Sequence, residues 1–320
     1  MLAWLLAPLP ALAQTTGLDT ALGAVLRLEA EVPSDSRSAS TLGAQREGNG
    51  IVIDGGGLVL TIGYLIVEAQ NVTLHRKDGR RVPAEVIGYD HDTGFGLVRA
   101  LAPLEAKPIP LGRSSEVKAG EKVLAVGHGG SSDAVAALVV SRREFAGYWE
   151  YLLDQALFTS PPHQNWGGTA LVDRNGNLVG VGSLFIGDAA GDGRGTPGNL
   201  FVPIDLLKPI LSDLLIDGRS SNSDRPWIGI TVNGEVGSHP MLTRLTKGGP
   251  AEKAGLLPGD IIVGVGDKKI SNPAQLYRSM WALGDAGVRV QRKVVRGNDL
   301  KEIEIQSVSR YDFLKLKRTY

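Results

Sequence analysis

The sequence contains no cysteine among its 320 residues, which excludes thiol nucleophiles, thiolate metal sites and disulfide bonds. It also lacks an excess of either charge, because 34 Lys and Arg residues balance 34 Asp and Glu residues. A neutral chain has no long-range field for nucleic acid or for an anionic membrane. Beyond the N-terminus, no apolar run approaches the roughly 20 residues that span a bilayer. We therefore expect no nucleic-acid partner and no transmembrane segment.

The N-terminal residues 1–13 are almost wholly apolar and end in Ala11-Leu12-Ala13, which fits the small-x-small pattern of a signal-peptidase site. The pattern predicts a signal peptide over 1–13 and a periplasmic protein. No Lys or Arg precedes the apolar run, and Pro8 and Pro10 interrupt it. A longer signal that begins upstream and an apolar tail retained in the cytosol are the alternatives.

Short apolar segments bounded by glycines and polar turns recur between residues 24 and 205, a pattern typical of a β-barrel or sandwich. Two barrels fit into this range, and Pro203 to Leu211 is predicted to form a helix that closes the domain. The predicted strands are Val25 to Ala30, Ile51 to Ile53, Leu58 to Thr61, Val72 to His75, Ala84 to Gly88, Lys122 to Val126, Ala136 to Val140 and Leu178 to Leu184.

A polar stretch rich in Gly and Ser, residues 217–225, has the composition of an inter-domain linker. Beyond it, Ser271 or Asn272 is expected to cap a helix whose first turn contains Pro273. The predicted organisation is an N-terminal segment 14–45, a barrel domain 24–216, the linker 217–225, a second domain 226–310 and a C-terminal tail 311–320.

Several motifs, taken in order, resemble the HtrA/Do family, which joins a trypsin-like protease domain to a PDZ domain. Gly249 to Leu256 reads Gly-Pro-Ala-Glu-Lys-Ala-Gly-Leu and precedes Pro258-Gly259-Asp260-Ile261-Ile262, a specific PDZ string. Gly48-Asn49-Gly50, Leu58 to Thr61 and Asn165 to Gly168 resemble the protease framework. The resemblance implies a mainly β fold, with a trypsin-like double six-stranded β-barrel followed by a PDZ domain, a small β-sandwich or barrel with two helices.

The same resemblance implies a Ser-His-Asp triad, and this sequence lacks all three residues. Tyr64 stands in place of the histidine, and Gly94 in place of the aspartate. Trp166 stands in place of the serine, or Gly167 does if Thr169 is an insertion that shifts the register. A phenol with a pKa of about 10 is protonated at neutral pH, and an indole has no nucleophile. We therefore predict a catalytically degenerate member with no intact catalytic residue.

Gln164 occupies the position of the glycine whose backbone N–H helps to form the oxyanion hole in that family. A rebuilt active site is the alternative to a lost one. Ser160 and His163 lie in the same loop, and His91 lies beside the missing aspartate. The simpler interpretation is that these residues belong to solvent-facing turns.

Trp166 has two interpretations: its side chain fills the space left by the triad, which is favoured, or it joins Tyr64 in an aromatic contact for a ligand. His75, His128 and His239 have no neighbours at metal-ligand spacing, so the sequence predicts neither a metal site nor a cofactor.

The PDZ-like domain is predicted to bind peptides. A PDZ domain adds an extended peptide to a sheet edge and holds its terminal carboxylate with the backbone N–H groups of an apolar-Gly-apolar loop. We expect an apolar C-terminal side chain in the ligand. The candidate peptide-binding residues are Trp227, Ile228, Gly229, Ile230, Leu276 and Met280, although the helical spacing of the last two, continued by Leu283, is also typical of a core.

These features predict an inactive HtrA-like protein of the cell envelope that binds unfolded proteins or C-terminal peptides in quality control or regulation. The alternatives are an active periplasmic serine endopeptidase of the same family and a purely structural scaffold. The resemblance further implies homo-trimers, through a segment such as 17–45, or assembly with active relatives.

Overall fold

The structure, a computed structural model, describes residues 11–221, 224–233 and 239–314. The predicted signal peptide lies mostly outside the described residues. The chain divides into two compact units. The first contains the residues up to Arg142 together with Ala156–Arg219, and the second contains Arg143–Gln155 together with the residues from Ser220 onward. The segment Arg143–Gln155 therefore packs with the C-terminal part of the chain, although the predicted barrel domain 24–216 runs through it without a break.

The first barrel is closed, with its six strands in the order β1-β2-β3-β6-β5-β4. Its core includes apolar side chains of β1 and of β3, and all five residues of β3 are buried. The strands are β1 Val25–Glu31, β2 Gln45–Val52, β3 Leu58–Ile62, β4 Asn71–His75, β5 Arg81–Tyr89 and β6 Phe95–Ala100, and two helices, α1 Ala11–Ala24 and α2 Ala39–Leu42, accompany them.

The second barrel is also closed, in the order β10-β11-β12-β9-β8-β7. Val123, Val139, Leu157, Val179 and Phe201 are among the residues that form its apolar core. Its strands are β7 Lys122–Val126, β8 Ala134–Ala146, β9 Leu152–Ser160, β10 Ala170–Val172, β11 Leu178–Ile186 and β12 Gly198–Pro203.

The helix predicted for Pro203 to Leu211 is wrong in position. Strand β12 continues to Pro203, a single 3-10 turn covers Ile204–Leu206, and helix α3 spans Leu211–Asp217. Pro209 explains why the helix begins only at Leu211, because proline lacks an N–H group and disfavours helical backbone at the preceding residue.

The C-terminal part of the second unit contains the two-stranded sheet β13-β14 and the four-stranded sheet β16-β15-β17-β18. Asn272 caps α5 as predicted, since its side-chain oxygen accepts a hydrogen bond from Gln275 N. The elements are β13 Ile230–Val232, β14 Leu242–Leu245, α4 Pro250–Lys253, β15 Ile261–Val265, β16 Lys268–Lys269, α5 Pro273–Trp281, β17 Arg289–Arg296, β18 Asp299–Gln306 and α6 Arg310–Leu314.

The predicted mainly β fold with two six-stranded barrels is confirmed. Within the described ranges, no helix has both the length and the apolar character needed to cross a bilayer.

Candidate functional site

Tyr64 lies in a 3-10 turn, Gly63–Leu65, directly after strand β3. Its hydroxyl donates a hydrogen bond of 2.9 Å to the backbone oxygen of Ser183. Its own carbonyl accepts from Arg46 Nη1 at 2.8 Å, and the same nitrogen donates to Val67 O. Burial raises the pKa of the Tyr64 phenol, and a hydrogen bond with the Trp166 side chain opposes this rise. Tyr64 is therefore a fixed hydrogen-bond donor that stays protonated at neutral pH.

Gly167 faces Tyr64 with its α-carbon. A Cβ atom added to Gly167 would lie 2.9 Å from the Tyr64 hydroxyl oxygen. The Trp166 side chain is also a hydrogen-bond partner of the Tyr64 phenol, so both residues that the sequence offered in place of the serine lie beside Tyr64. A glycine at this point offers the cleft no side chain.

Trp166 is only half-buried. Its ring lies 5.9 Å from that of Phe185, which is 45% exposed. Trp166 is thus a half-buried residue that contacts both the ring of Phe185 and the phenol of Tyr64, and the expectation that its indole fills the space left by the triad stays a prediction.

Gly94 contributes only backbone atoms to the candidate site. Its φ of 82° lies in the left-handed region that favours glycine, and its carbonyl accepts a hydrogen bond of 2.7 Å from Gly63 N. The preceding turn is held by Asp90, whose carboxylate accepts from the N–H and the hydroxyl of Thr93. The turn that would present an aspartate is thus well formed, but it carries no carboxylate at Gly94.

The loop before Gly167 contains a buried histidine. His163 is 1% exposed, and its Nδ1 accepts a hydrogen bond of 3.1 Å from Asn165 N, whereas its Nε2 faces Asp133 O at 3.0 Å and Oδ1 at 3.2 Å. Because Nδ1 is the acceptor, the proton of the neutral ring lies on Nε2. The N–H two residues before Gly167 is therefore directed to His163, while Gln164 is exposed to solvent.

The expectation that His163 and His91 face solvent is wrong. His163 is enclosed by Asn165 and Asp133, and His91 is 8% exposed with its ring edge-on to Tyr89 at 4.6 Å. The Ser160 hydroxyl donates to Pro197 O at 2.8 Å, away from the acceptors of His163. The structure therefore does not form a Ser160–His163 dyad.

The remaining histidines have ordinary partners. His75 pairs with Glu29, His128 with Asn49, and His239 with the Ile270 carbonyl. In the described part of the chain, no three His, Cys, Asp or Glu side chains come together as a metal site.

Asn49 organises this loop, a role that the sequence reasoning missed. It is completely buried, and its Nδ2 lies within 3.1 Å of Asn165 O, Gly167 O and Thr169 Oγ1. Its Oδ1 accepts from the backbone N–H of His128. One amide thus fixes three points of the loop. The available signal was a polar residue between two glycines, directly before the apolar run Ile51 to Ile53.

In the second unit, three consecutive backbone N–H groups converge on one carboxylate. Ile228 N, Gly229 N and Ile230 N donate to Glu150 at 3.2, 2.7 and 2.9 Å. Gly229 has a φ of 82°, a conformation suited to glycine, and this backbone turn directs the donors to a single point. The predicted carboxylate-binding loop therefore holds a carboxylate of the chain itself.

Residues next to Glu150 contact the same region. Tyr148 O accepts a hydrogen bond of 2.9 Å from Val232 N in strand β13. Gly147 O accepts one of 2.8 Å from the hydroxyl of Tyr277 in helix α5. The segment Arg143–Gln155 thus lies against both the strand and the helix that follow the loop in the chain.

The apolar side chains predicted to bind peptide belong to the core. Leu276 and Met280 are completely buried, and Ala146 and Leu152 pack against the core that contains them. Trp227 is 8% exposed and packs on Phe313, with ring centroids 4.6 Å apart. Among the residues predicted to bind peptide, the backbone N–H groups of Ile228 to Ile230 are therefore the hydrogen-bond donors.

Comparison with known families agrees with this architecture. Residues 48–181 match the trypsin-like peptidase domain, and residues 226–306 match the PDZ domain. A trypsin-like double barrel followed by a PDZ domain is thus the class of protein that the fold defines. The chain combines the two domains that the HtrA family joins, and it is similar to proteins of that family.

Curated relatives share about a quarter of the residues. The serine protease PepD of Mycobacterium tuberculosis is 29% identical over 282 residues, which cover 81% of this chain and 60% of that protein. The periplasmic pH-dependent serine endoprotease DegQ of Escherichia coli is 28% identical over 273 residues, which cover 81% and 58%. The chain therefore spans about 60% of the length of these two relatives.

Solved structures show the same fold. The HtrA-type protease AlgW with a tripeptide matches with a TM-score of 0.52 at 19% identity, over 92% of this chain and 96% of that one. The serine endoprotease from Yersinia pestis matches with a TM-score of 0.52 at 20% identity, over 95% and 99%.

Proposed function

We propose that this HtrA-family protein binds peptides and does not hydrolyse them. The observation that carries the proposal is the meeting of Tyr64 and Gly167, a phenol and a bare α-carbon where the family's base and nucleophile are expected. Acyl transfer by a serine protease needs a hydroxyl within hydrogen-bond reach of a base, and a third group that orients the base. Tyr64, Gly94 and Gly167 supply none of these groups.

The environment of the cleft supports the same proposal. Stabilisation of an oxyanion requires backbone N–H groups that point at the reacting oxygen. The N–H of Asn165 instead donates to His163, and the loop is held in this state by Asn49. Reactivation would therefore require both new side chains and a rearranged backbone.

The proposed ligands are unfolded proteins or peptides with a free C-terminus. The N–H groups of Ile228, Gly229 and Ile230 form a site for a carboxylate, and this site does not depend on side-chain chemistry. We place the protein in the cell envelope, because relatives are named periplasmic and residues 1–13 have the composition of a signal peptide. Homo-trimers or assemblies with active relatives remain part of this proposal.

An active serine endopeptidase is the second candidate. The names of the curated relatives favour it, since PepD and DegQ are both called serine proteases or endoproteases. It requires a nucleophile and a base other than the residues at Tyr64, Gly94 and Trp166 or Gly167. A purely structural scaffold is the third candidate, in which the loop at Ile228 to Ile230 binds no external ligand.

Two assays on the full chain distinguish the candidates. The first follows the degradation of unfolded casein, with Escherichia coli DegQ as the positive control. The second measures fluorescence anisotropy of a labelled peptide that ends in an apolar residue with a free carboxylate, beside its C-terminal amide. We expect intact casein and saturable binding of the free acid alone. Degradation at a rate near that of DegQ supports the endopeptidase, whereas neither degradation nor binding leaves the scaffold.

A further inference from the structure

The carboxylate-binding loop of the PDZ domain is occupied in this structure by the chain itself. Glu150 is 5% exposed, and its two carboxylate oxygens accept all three hydrogen bonds from Ile228, Gly229 and Ile230. Charge-assisted bonds of this kind are about twice as strong as neutral ones. No vacant donor is left in the loop for a second carboxylate.

The backbone next to Glu150 makes contacts like those of a peptide bound to a PDZ domain. A PDZ ligand pairs its main chain with a strand on one side and contacts a helix on the other. Tyr148, two residues before Glu150, pairs its carbonyl with Val232 N of β13, and Gly147 O accepts from Tyr277 of α5. The segment Gly147 to Glu150 therefore reproduces both the carboxylate contact and the main-chain contacts of a ligand.

Glu150 adopts a backbone conformation that ordinary side chains avoid. Its φ is 57°, in the left-handed region, which is strained for a residue other than glycine. A strained residue persists only when its surroundings over-determine it, and such residues cluster at ligand clamps and switches. Here the three N–H donors hold the strained residue in place.

A buried cation gives the site a preference for a charged group. Arg292 of β17 is completely buried, and within the described residues its Nε and Nη1 have no hydrogen-bond partner. Its Nη2 contacts Met280 Sδ, and burial lowers the pKa of Arg292 to about 10, while Glu150 opposes this shift. Burial raises the pKa of Glu150, whereas the hydrogen bonds from Ile230 and Ile228 and the charge of Arg292 oppose that rise. Each of the two buried groups therefore favours the charged form of the other.

We propose that Gly147 to Glu150 is an intramolecular ligand of the PDZ domain, and that an external peptide binds by displacing it with a free C-terminal carboxylate. This inference rests on the proposed peptide-binding function. Because only the fraction of molecules with an empty loop can bind, the internal ligand weakens the apparent affinity in proportion to its own occupancy. A peptide that ends in an amide offers the three N–H donors no carboxylate and should not displace Glu150.

Binding to variants of the full chain tests the displacement. Glu150→Asp keeps the charge but shortens the side chain by one methylene, and Glu150→Gln removes the charge. We expect the free-acid peptide to bind both variants at least tenfold more tightly than the wild type. The control Glu304→Gln changes an exposed acid of the same unit, where it pairs with Arg289, and should leave the affinity within twofold. Equal affinity of the wild type and both Glu150 variants overturns the inference, while binding by the wild type still supports the proposed function.

Hydrogen exchange of the wild type tests the displacement of Gly147 to Glu150 independently of the affinity measurements. In the wild type, saturating free-acid peptide should accelerate exchange in the segment 144–152 and leave the amides of 228–230 protected. Unchanged exchange in 144–152 at saturation overturns the inference. If neither the wild type nor the variants bind the peptide, the proposed function is refuted. Hydrogen exchange then still shows whether Glu150 occupies the carboxylate-binding loop. Protection of 228–230 that is lost in Glu150→Asp supports the internal ligand, whereas protection that persists contradicts it.

Discussion

The hydroxyl of Tyr64 donates to the backbone oxygen of Ser183 at 2.9 Å, and this bond fixes the phenol beside Gly167. The bond joins the turn after β3 of the first barrel to strand β11 of the second. Tyr64, which the resemblance aligns with the family's histidine, is therefore a hydrogen-bond donor to the backbone in this structure.

Reconstruction of the triad tests the position of the lost nucleophile. We expect the triple variant Tyr64→His, Gly94→Asp, Gly167→Ser to react with a fluorophosphonate probe above the wild-type background, because it places a hydroxyl opposite an imidazole. Its matched control has Trp166→Ser instead of Gly167→Ser and should not react. Mass spectrometry of the labelled proteins makes the comparison, and equal labelling of both variants would refute the assignment of Gly167.

Asn49 is expected to be the main polar support of the loop around Gly167. Asn49→Ala removes its hydrogen bonds to Asn165 O, Gly167 O and Thr169 Oγ1 and leaves buried acceptors unsatisfied. The free energy of unfolding should fall by about 2–4 kcal/mol. Urea unfolding followed by circular dichroism measures the change. Asn71→Ala, which removes only an exposed bond to Glu31, should stay within about 0.5 kcal/mol of the wild type.

The substitution Trp166→Ala tests whether Trp166 is a half-buried residue or one that fills the space left by the triad. Because Trp166 is half-buried, packs on exposed Phe185 and is a hydrogen-bond partner of the Tyr64 phenol, we expect a loss of about 1–2 kcal/mol in the free energy of unfolding. A Trp that filled the space of the triad would cost about 3–5 kcal/mol. Phe201→Ala, in the fully buried core of the second barrel, supplies that larger value for comparison in the same urea titration.

Asp260 should give the second unit an acid-dependent stability. Its carboxylate is completely buried and accepts from Arg296 Nε at 2.6 Å, Arg296 Nη2 at 2.7 Å and Leu257 N at 3.0 Å. Burial raises the pKa of Asp260, but the hydrogen bonds from Arg296 and Leu257 outweigh it, so the net pKa is lowered. A carboxyl with a lowered pKa contributes stability above its unfolded value of about 3.9, and this contribution is lost as the pH falls through the folded value.

Asp260→Asn should therefore lower the free energy of unfolding by about 2–4 kcal/mol at pH 7 and flatten its decline below a pH of about 4. Thermal unfolding of the wild type and the variant between pH 2 and pH 7, read at the transition of the second unit, measures both effects. Asp299→Asn, an exposed change in the same unit, is the control. A variant whose stability keeps the pH dependence of the wild type would rule out this role for Asp260.

Features that depend on neighbouring residues were predictable from the sequence. The alternation in Val25 to Ala30 lies within strand β1, and Asn272 before Pro273 gave the cap of α5. The replacements expected at Tyr64 and Gly94 also come from local motifs, and they stay predictions. Each of these inferences uses the local period or a spacing of a few residues.

Features that depend on distant contacts were not predictable. Glu150 lies 78 residues from Ile228 in the chain, and its role requires both a left-handed backbone and a loop that packs with the second unit. His163 resembled a turn residue because its partners, Asp133 and Asn199, are 30 and 36 residues away. Asn49 likewise acts on a loop more than 110 residues further on.

Labelling of the full-length wild-type protein with a fluorophosphonate tests the absence of hydrolytic chemistry most directly. The probe reacts with serine hydroxyls that a base and an oxyanion site have activated. Escherichia coli DegQ, treated in parallel, is the positive control, and heat-denatured protein measures the background. We predict that intact-mass spectrometry finds no adduct above that background on any serine. A stoichiometric adduct on one serine of the native protein, accompanied by casein cleavage, would contradict the account.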